Sequence, residues 1–112
     1  MADLSEMDCR PLNSTDTVLP ANEIENYREQ LPDWEIITED GEQRLKRVFK
    51  FNNFAEALAF TGQIGAIAEQ QDHHPALLTE WGKVTVFWWT HKVHGLHLND
   101  FIMAAKTDRH YH

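Results

Sequence analysis

Two stretches constrain the fold of this chain more than anything else in it. WEIITEDGEQRLKRVFKF (residues 34–51) and ALLTEWGKVTVFWWTH (residues 76–91) each alternate apolar and polar residues around a short central turn. A turn that short joins only antiparallel neighbours, so each stretch is expected to be a β-hairpin. In the first, Trp34, Ile36 and Thr38 alternate with polar partners, EDGE supplies turn chemistry around Gly41, and Leu45, Phe49 and Phe51 share one parity. Arg47 falls on that parity too, so the face is not cleanly apolar. The second hairpin turns near Trp81–Gly82, with Val84, Val86 and Trp88 on one face of its second strand and Lys83, Thr85, Phe87, Trp89 and His91 on the other.

Helical patterns surround the hairpins. ANEIENYREQLPDW has an N-cap candidate in Asn22, apolar residues at Ile24, Tyr27 and Leu31, and a stop at Pro32. FAEALAFTGQIGAIAEQQ (residues 54–71) follows Asn52 or Asn53 as cap and is the longest predicted helix, with Phe54, Leu58, Ile64 and Ala68 at helical spacing. Its small residues Gly62, Gly65 and Ala66 predict close packing against a neighbour. The third helix, GLHLNDFIMAAKTD, starts after Gly95 and buries Leu98, Phe101, Ile102 and Ala105. The order α-β-β-α-β-β-α predicts an α+β domain, a four-stranded antiparallel sheet with three helices packed on one face. We place this domain at residues 21–108, with a flexible polar arm at 1–20 and a short tail at 109–112. The open sheet face, carrying Phe87 and Trp89, is too apolar to leave in water, and self-association is expected.

Eighteen acids against ten bases give a net charge of −8, which disfavours a nucleic-acid or anionic-membrane surface. The densest basic stretch, RLKRVFK, puts its charges on both faces of a strand. Cys9 is the only cysteine, so no intrachain disulfide and no cysteine-based zinc site can form. With no leader pattern and no bilayer-length apolar run, the expected location is the cytoplasm.

The chemistry lies in the second half. QDHHPALL sets His73 and His74 side by side before Pro75. Neighbours point about 100° apart on a helix and oppositely on a strand, so two such rings converge only where the backbone is irregular. Proline disfavours helix at the preceding residue, which predicts a helix ending there with imidazoles at its rim. Five of the seven histidines lie between His73 and His97, accompanied by Glu69, Asp72 and Asp100. HKVHGLH spaces His91, His94 and His97 three apart, but Gly95 makes a poor helix and the HExxH zinc pattern is absent. No metal is expected, and His94 and His97 read as surface polar residues. The stronger reading is proton transfer, for which histidine's ordinary pKa of about 6.5 is suited. A histidine pair at a helix end and His91 at a strand end can surround a small heterocycle, with Asp100 holding His91 in one tautomer and tryptophans as walls. No serine or cysteine sits in a nucleophile setting, and no glycine loop has phosphate-cradling spacing.

Glu69, His73, His74, Pro75, Trp81, His91 and Asp100 stand in the order and spacing of a known pattern. On these residues the chain resembles the pterin-4a-carbinolamine dehydratases, whose animal members also serve as dimerisation cofactor of a homeodomain transcription factor. The resemblance covers residues from about Asn22 to Asp108. It implies a hydro-lyase that removes the 4a-hydroxyl of 4a-hydroxytetrahydrobiopterin as water, giving quinonoid dihydropterin and recycling the cofactor of aromatic amino-acid hydroxylases. No cofactor is implied, since the pterin is the substrate. By position, His73 and His91 would be acids serving the two faces of the ring, His74 would hold the pterin and assist as base, and Asp100 would orient His91. Glu69, Pro75, Trp81, Thr90, Lys92 and Val93 would contact substrate. A homodimer or homotetramer and a functional link to phenylalanine hydroxylase are further implications. The alternatives are a non-catalytic docking module of the same family, to which no homeodomain-specific feature here points, and a histidine-rich metal-binding protein.

Overall fold

The computed structural model describes residues 3–112. Its elements run α1 (Ala21–Arg28), β1 (Glu35–Glu39), β2 (Glu42–Lys50), α2 (Phe54–Gln71), β3 (Ala76–Glu80), β4 (Lys83–Trp88) and α3 (Leu98–Arg109), with 3-10 turns at Leu4–Glu6 and His91–Val93. The four strands form one sheet in the order β1-β2-β4-β3, antiparallel at every pairing. This is the α+β architecture expected from the two hairpins. Asp40 and Gly41 make the first turn with φ of 52° and 78°. A two-residue hairpin turn needs positive φ at both positions to match strand twist, which Asp-Gly supplies. At the second turn a Cβ on Gly82 would stand 3.3 Å from the Phe51 carbonyl oxygen. The Phe51 amide donates to the Gly82 carbonyl there at 2.9 Å, so glycine permits β2 to close against the β4 hairpin.

Leu45 and Phe49 of β2 and Val84, Val86 and Trp88 of β4 form the buried sheet face, packed in one core with Ala57, Phe60, Ile64 and Ala68 of α2 and Phe101 and Ile102 of α3. Arg47, the polar residue on that parity, stacks its guanidinium over Phe49 at 4.4 Å and donates to Asp108 at 2.7 Å. The Trp34 indole donates to the same carboxylate oxygen at 2.9 Å.

Three expectations about the helices change. On α2, Phe54 and Leu58 are 45% and 53% exposed, and Ala57 and Phe60 take their place in the core. The helix is apolar on several sides, so its sequence alone does not say which side meets the sheet. Beyond the adjoining residues and the helix's own backbone, no atom lies within 4 Å of a Cβ built on Gly62 or Gly65, so the expected close approach is not made within the chain. Helix α1 starts at Ala21 behind Pro20, which offers no side-chain cap, and Asn22 lies inside the helix.

The segment before α1, read as a flexible arm, runs against the body of the protein. Leu4 is fully buried, and the Leu19 amide donates to Leu96. These contacts come from one buried side chain and one backbone hydrogen bond, and carry no period that a sequence pattern would reveal. Tyr111, in the expected tail, packs edge-on to Phe49 and Phe51 and donates its hydroxyl to the Lys50 carbonyl. Among the described residues, no helix is long and apolar enough to cross a membrane.

Burial raises the Asp108 carboxyl above its usual range, against the pull of Trp34 and Arg47. Arg47→Met leaves that carboxylate half-buried without its cation, a loss expected to cost about 2 kcal/mol at neutral pH. A carboxyl with a raised folded-state pKa is penalised when ionised, so the deficit should shrink as pH falls through that pKa. Urea denaturation at pH 7 and pH 4 checks both size and direction.

Candidate active site

The end of α2 determines where the two adjacent histidines go. Asp72 adopts the left-handed conformation (φ 52°, ψ 43°), and its amide bonds back to the Ala68 and Glu69 carbonyls. The His73 amide donates to Ala68 at 3.1 Å, so consecutive amides close the last turn and Pro75 prevents its continuation. The rings then part. His73 turns inward and is buried, while His74 stays on the surface and pairs with Glu69.

Beneath His73 lies Asp100, in the first turn of α3 and fully buried. One carboxylate oxygen meets His73 Nε2 at 2.6 Å. The other accepts from the Thr90 hydroxyl at 2.8 Å and the His97 amide at 2.9 Å. A buried carboxylate is tolerable only with partners of this kind. An ionised carboxylate can only accept, so His73 donates through Nε2 and keeps Nδ1 as its exchangeable nitrogen. The His73 ring stacks on Trp88, with planes 10° apart and centroids at 5.9 Å.

Asp100 was expected to orient His91 and instead holds His73. The residue facing His91 is Glu42. Continuing the β2–β4 register, in which Leu45 lies opposite Trp88, past the end of β4 brings Glu42 opposite His91. Glu42 Oε2 lies 3.4 Å from His91 Nδ1 and 3.0 Å from His94 Nδ1. The hydrogen bond from His94 is the main reason the Glu42 carboxyl sits below its usual range. His97 is also not a surface residue. It is buried and caps α3, its Nδ1 accepting the Asn99 amide while Asp100 accepts the His97 amide. Burial, then the Arg10 guanidinium, lowers its pKa.

A cleft of about 250 Å³ brings His73, His74, His91, Thr90, Lys92 and Trp89 together. Asp72 and Leu12 complete its wall; sequence reasoning noted Asp72 without giving it a role and passed over Leu12. A second cleft of about 650 Å³ shares His73 and Lys92 and adds Arg10, Gln71 and Asn99. Cys9 lines it as well, but burial pushes its thiol up to about 11, which keeps it protonated and poorly nucleophilic. Of the other expected substrate contacts, Glu69 partners His74, Val93 is buried, and Pro75 is half-buried outside the cleft lining. Trp81 is 70% exposed at the β3–β4 turn, the end of that hairpin away from His73 and His91. A strand of five residues separates it from Pro75, roughly 17 Å of extended chain.

Fold and cleft together define a small α+β protein built for acid–base work, with imidazoles around one opening and a buried carboxylate behind. The family model for pterin 4 alpha carbinolamine dehydratase matches residues 17–110. The chain belongs to that family. A Nitrosococcus oceani protein named "Putative pterin-4-alpha-carbinolamine dehydratase" is 59% identical over 97% of this chain and 96% of its own length. A relative of the same name from Syntrophotalea carbinolica is 56% identical over 96% of each chain. Among solved structures, a transcriptional coactivator/pterin dehydratase from Brucella melitensis superposes with a TM-score of 0.77 at 30% identity, covering 86% of this chain and all of that one.

Thr90→Val keeps the shape of the side chain and removes one of the three donors to Asp100. Loss of a hydrogen bond to a buried charged group should lower stability by about 2 kcal/mol, read by urea denaturation. An unchanged midpoint would mean that Asp100 does not depend on this bond.

Proposed function

We propose that this protein is a pterin-4a-carbinolamine dehydratase, eliminating water from 4a-hydroxytetrahydrobiopterin by histidine acid–base catalysis. The observation that carries the reading is the cleft itself. His73, His74 and His91 all border it, and His73 has one nitrogen committed to buried Asp100. The reaction needs little else. An imidazolium gives its proton to the 4a-hydroxyl, the C4a–O bond breaks, and the N5 lone pair forms the C4a=N5 double bond. A neutral imidazole takes the N5 proton, water departs, and exchange with solvent resets both rings. His73 and His91 serve as acids toward the two opposite faces of the pterin, one for a given 4a-hydroxyl, His73 as the imidazolium through Nδ1. His74, exposed and paired with Glu69, receives the proton from N5. Asp100 positions His73, Glu42 positions His91, and Thr90, Lys92 and the face of Trp89 bound the ring.

The same reading supplies the setting. Substrate comes from a hydroxylase acting on an aromatic amino acid, phenylalanine hydroxylase being the expected one, and both enzymes work in the cytoplasm. The protein acts as a homo-oligomer. Support comes from the open sheet face, where Val48 and Leu78 are 38% and 53% exposed on either side of Thr85 in the strand register. Light scattering on the assayed preparation reads the mass.

Freshly generated 4a-hydroxytetrahydropterin loses water at a measurable uncatalysed rate, and absorbance follows it. Wild-type protein is expected to accelerate this loss, and His74→Ala to reduce turnover by about 10²–10⁴-fold with the fold retained. No acceleration by folded protein, or full activity in both His74→Ala and His73→Ala, would overturn the assignment.

A further inference from the structure

We propose that Glu42, His91 and His94 form a binding site for one divalent transition-metal ion, of which Zn²⁺ is the type, at the edge of the catalytic cleft. One donor atom from each of the three residues lies within 4.8 Å of the donors of the other two. Ligands about 2.0–2.1 Å from a tetrahedral ion stand about 3.3 Å apart, and the two carboxylate–imidazole separations here are 3.0 and 3.4 Å. Both imidazoles therefore already stand at ligand-to-ligand distance from the carboxylate. Each neutral ring can offer the Nδ1 lone pair and carry its proton on Nε2. Two imidazoles and one carboxylate suit zinc, cobalt or nickel and leave a coordination position for water.

The backbone adds a second observation. His94 is held in the left-handed conformation at φ 60°, although Gly95 beside it has no positive φ. Such strain in a non-glycine residue gathers at ligand clamps and other functional positions. Here it turns the His94 ring toward Glu42, while the His94 amide bonds the His91 carbonyl and fixes the turn. Glu42 is buried, so the rigid member of the set is the anion, and the two exposed rings close over it.

A consequence rests on the dehydratase reading. His91 borders the cleft, so an ion on its Nδ1 withdraws it from proton transfer and inhibits turnover reversibly. Binding itself does not depend on that reading.

Tag-free protein in chelator-free buffer, titrated calorimetrically with Zn²⁺, should show one strong site per chain. Losing even an outer-shell partner costs roughly 10–100-fold in metal affinity, so Glu42→Gln and His94→Asn should each weaken binding at least about tenfold. Asparagine tolerates the left-handed conformation, which keeps the turn in His94→Asn. The double variant His110→Ala/His112→Ala should bind as wild type. Absence of a strong site, or one lost only with the tail histidines, would overturn the site. Zn²⁺ should also abolish dehydration at the concentration that fills the site, with EDTA restoring it and His94→Asn resisting it. Full turnover with the site filled would overturn the inhibition. Failure of the dehydratase reading would differ, since metal-free protein would then be inactive.

Discussion

The buried carboxylate of Asp100 is the constraint on which the site depends. It has no contact with water, and its three donors come from three parts of the chain: His73 at the end of α2, Thr90 after β4, and the His97 amide before α3. Each donor satisfies a charge that would be costly to bury alone, so the carboxylate locks the three element ends to one another. The same bonds cap α3 and set the tautomer of His73. Structure and chemistry share one residue here, and this region holds most of the histidines.

Each histidine of the cleft has its own carboxylate, at a different depth. Asp100 under His73 is fully buried, Glu42 beside His91 lies under two exposed rings, and Glu69 beside His74 is exposed. The deep pair can fix a tautomer and a ring orientation. The surface pair holds its ring loosely enough to exchange protons with solvent. In the elimination proposed above, a graded arrangement of this kind would let three histidines take different parts.

Much of the fold was legible because both hairpins carry local signals. Asp40-Gly41 announces a two-residue turn, and the parity of Leu45 with Phe49 and of Val84 with Trp88 marks the inner face. The phase of α2 was not legible. Phe54, Leu58, Phe60 and Ile64 are all apolar, and only the position of the sheet decides that the first two stay outside. The site residues His73, His74, His91 and Asp100 stood out by type and spacing. Their pairing did not, since Asp100 is close in sequence to His91 and reaches His73 only through the packing of α3 beside the α2 terminus. Glu42 was hidden for the same reason. It reads as part of a turn until the register of β2 on β4 carries it to His91. The left-handed His94 is likewise invisible in a sequence where the adjacent Gly95 is the natural candidate for positive φ.

Asp100 holds the Nε2–H of His73 and leaves Nδ1 as the nitrogen that can gain and lose a proton. Long-range proton–nitrogen correlation NMR on the imidazole rings, in wild type and in Asp100→Asn, addresses this directly. The wild-type spectrum should show His73 with a slowly exchanging proton on Nε2, and the variant should lose that protection. A wild-type His73 that is protonated on Nδ1 alone, or that averages between tautomers as a free imidazole does, would contradict the account.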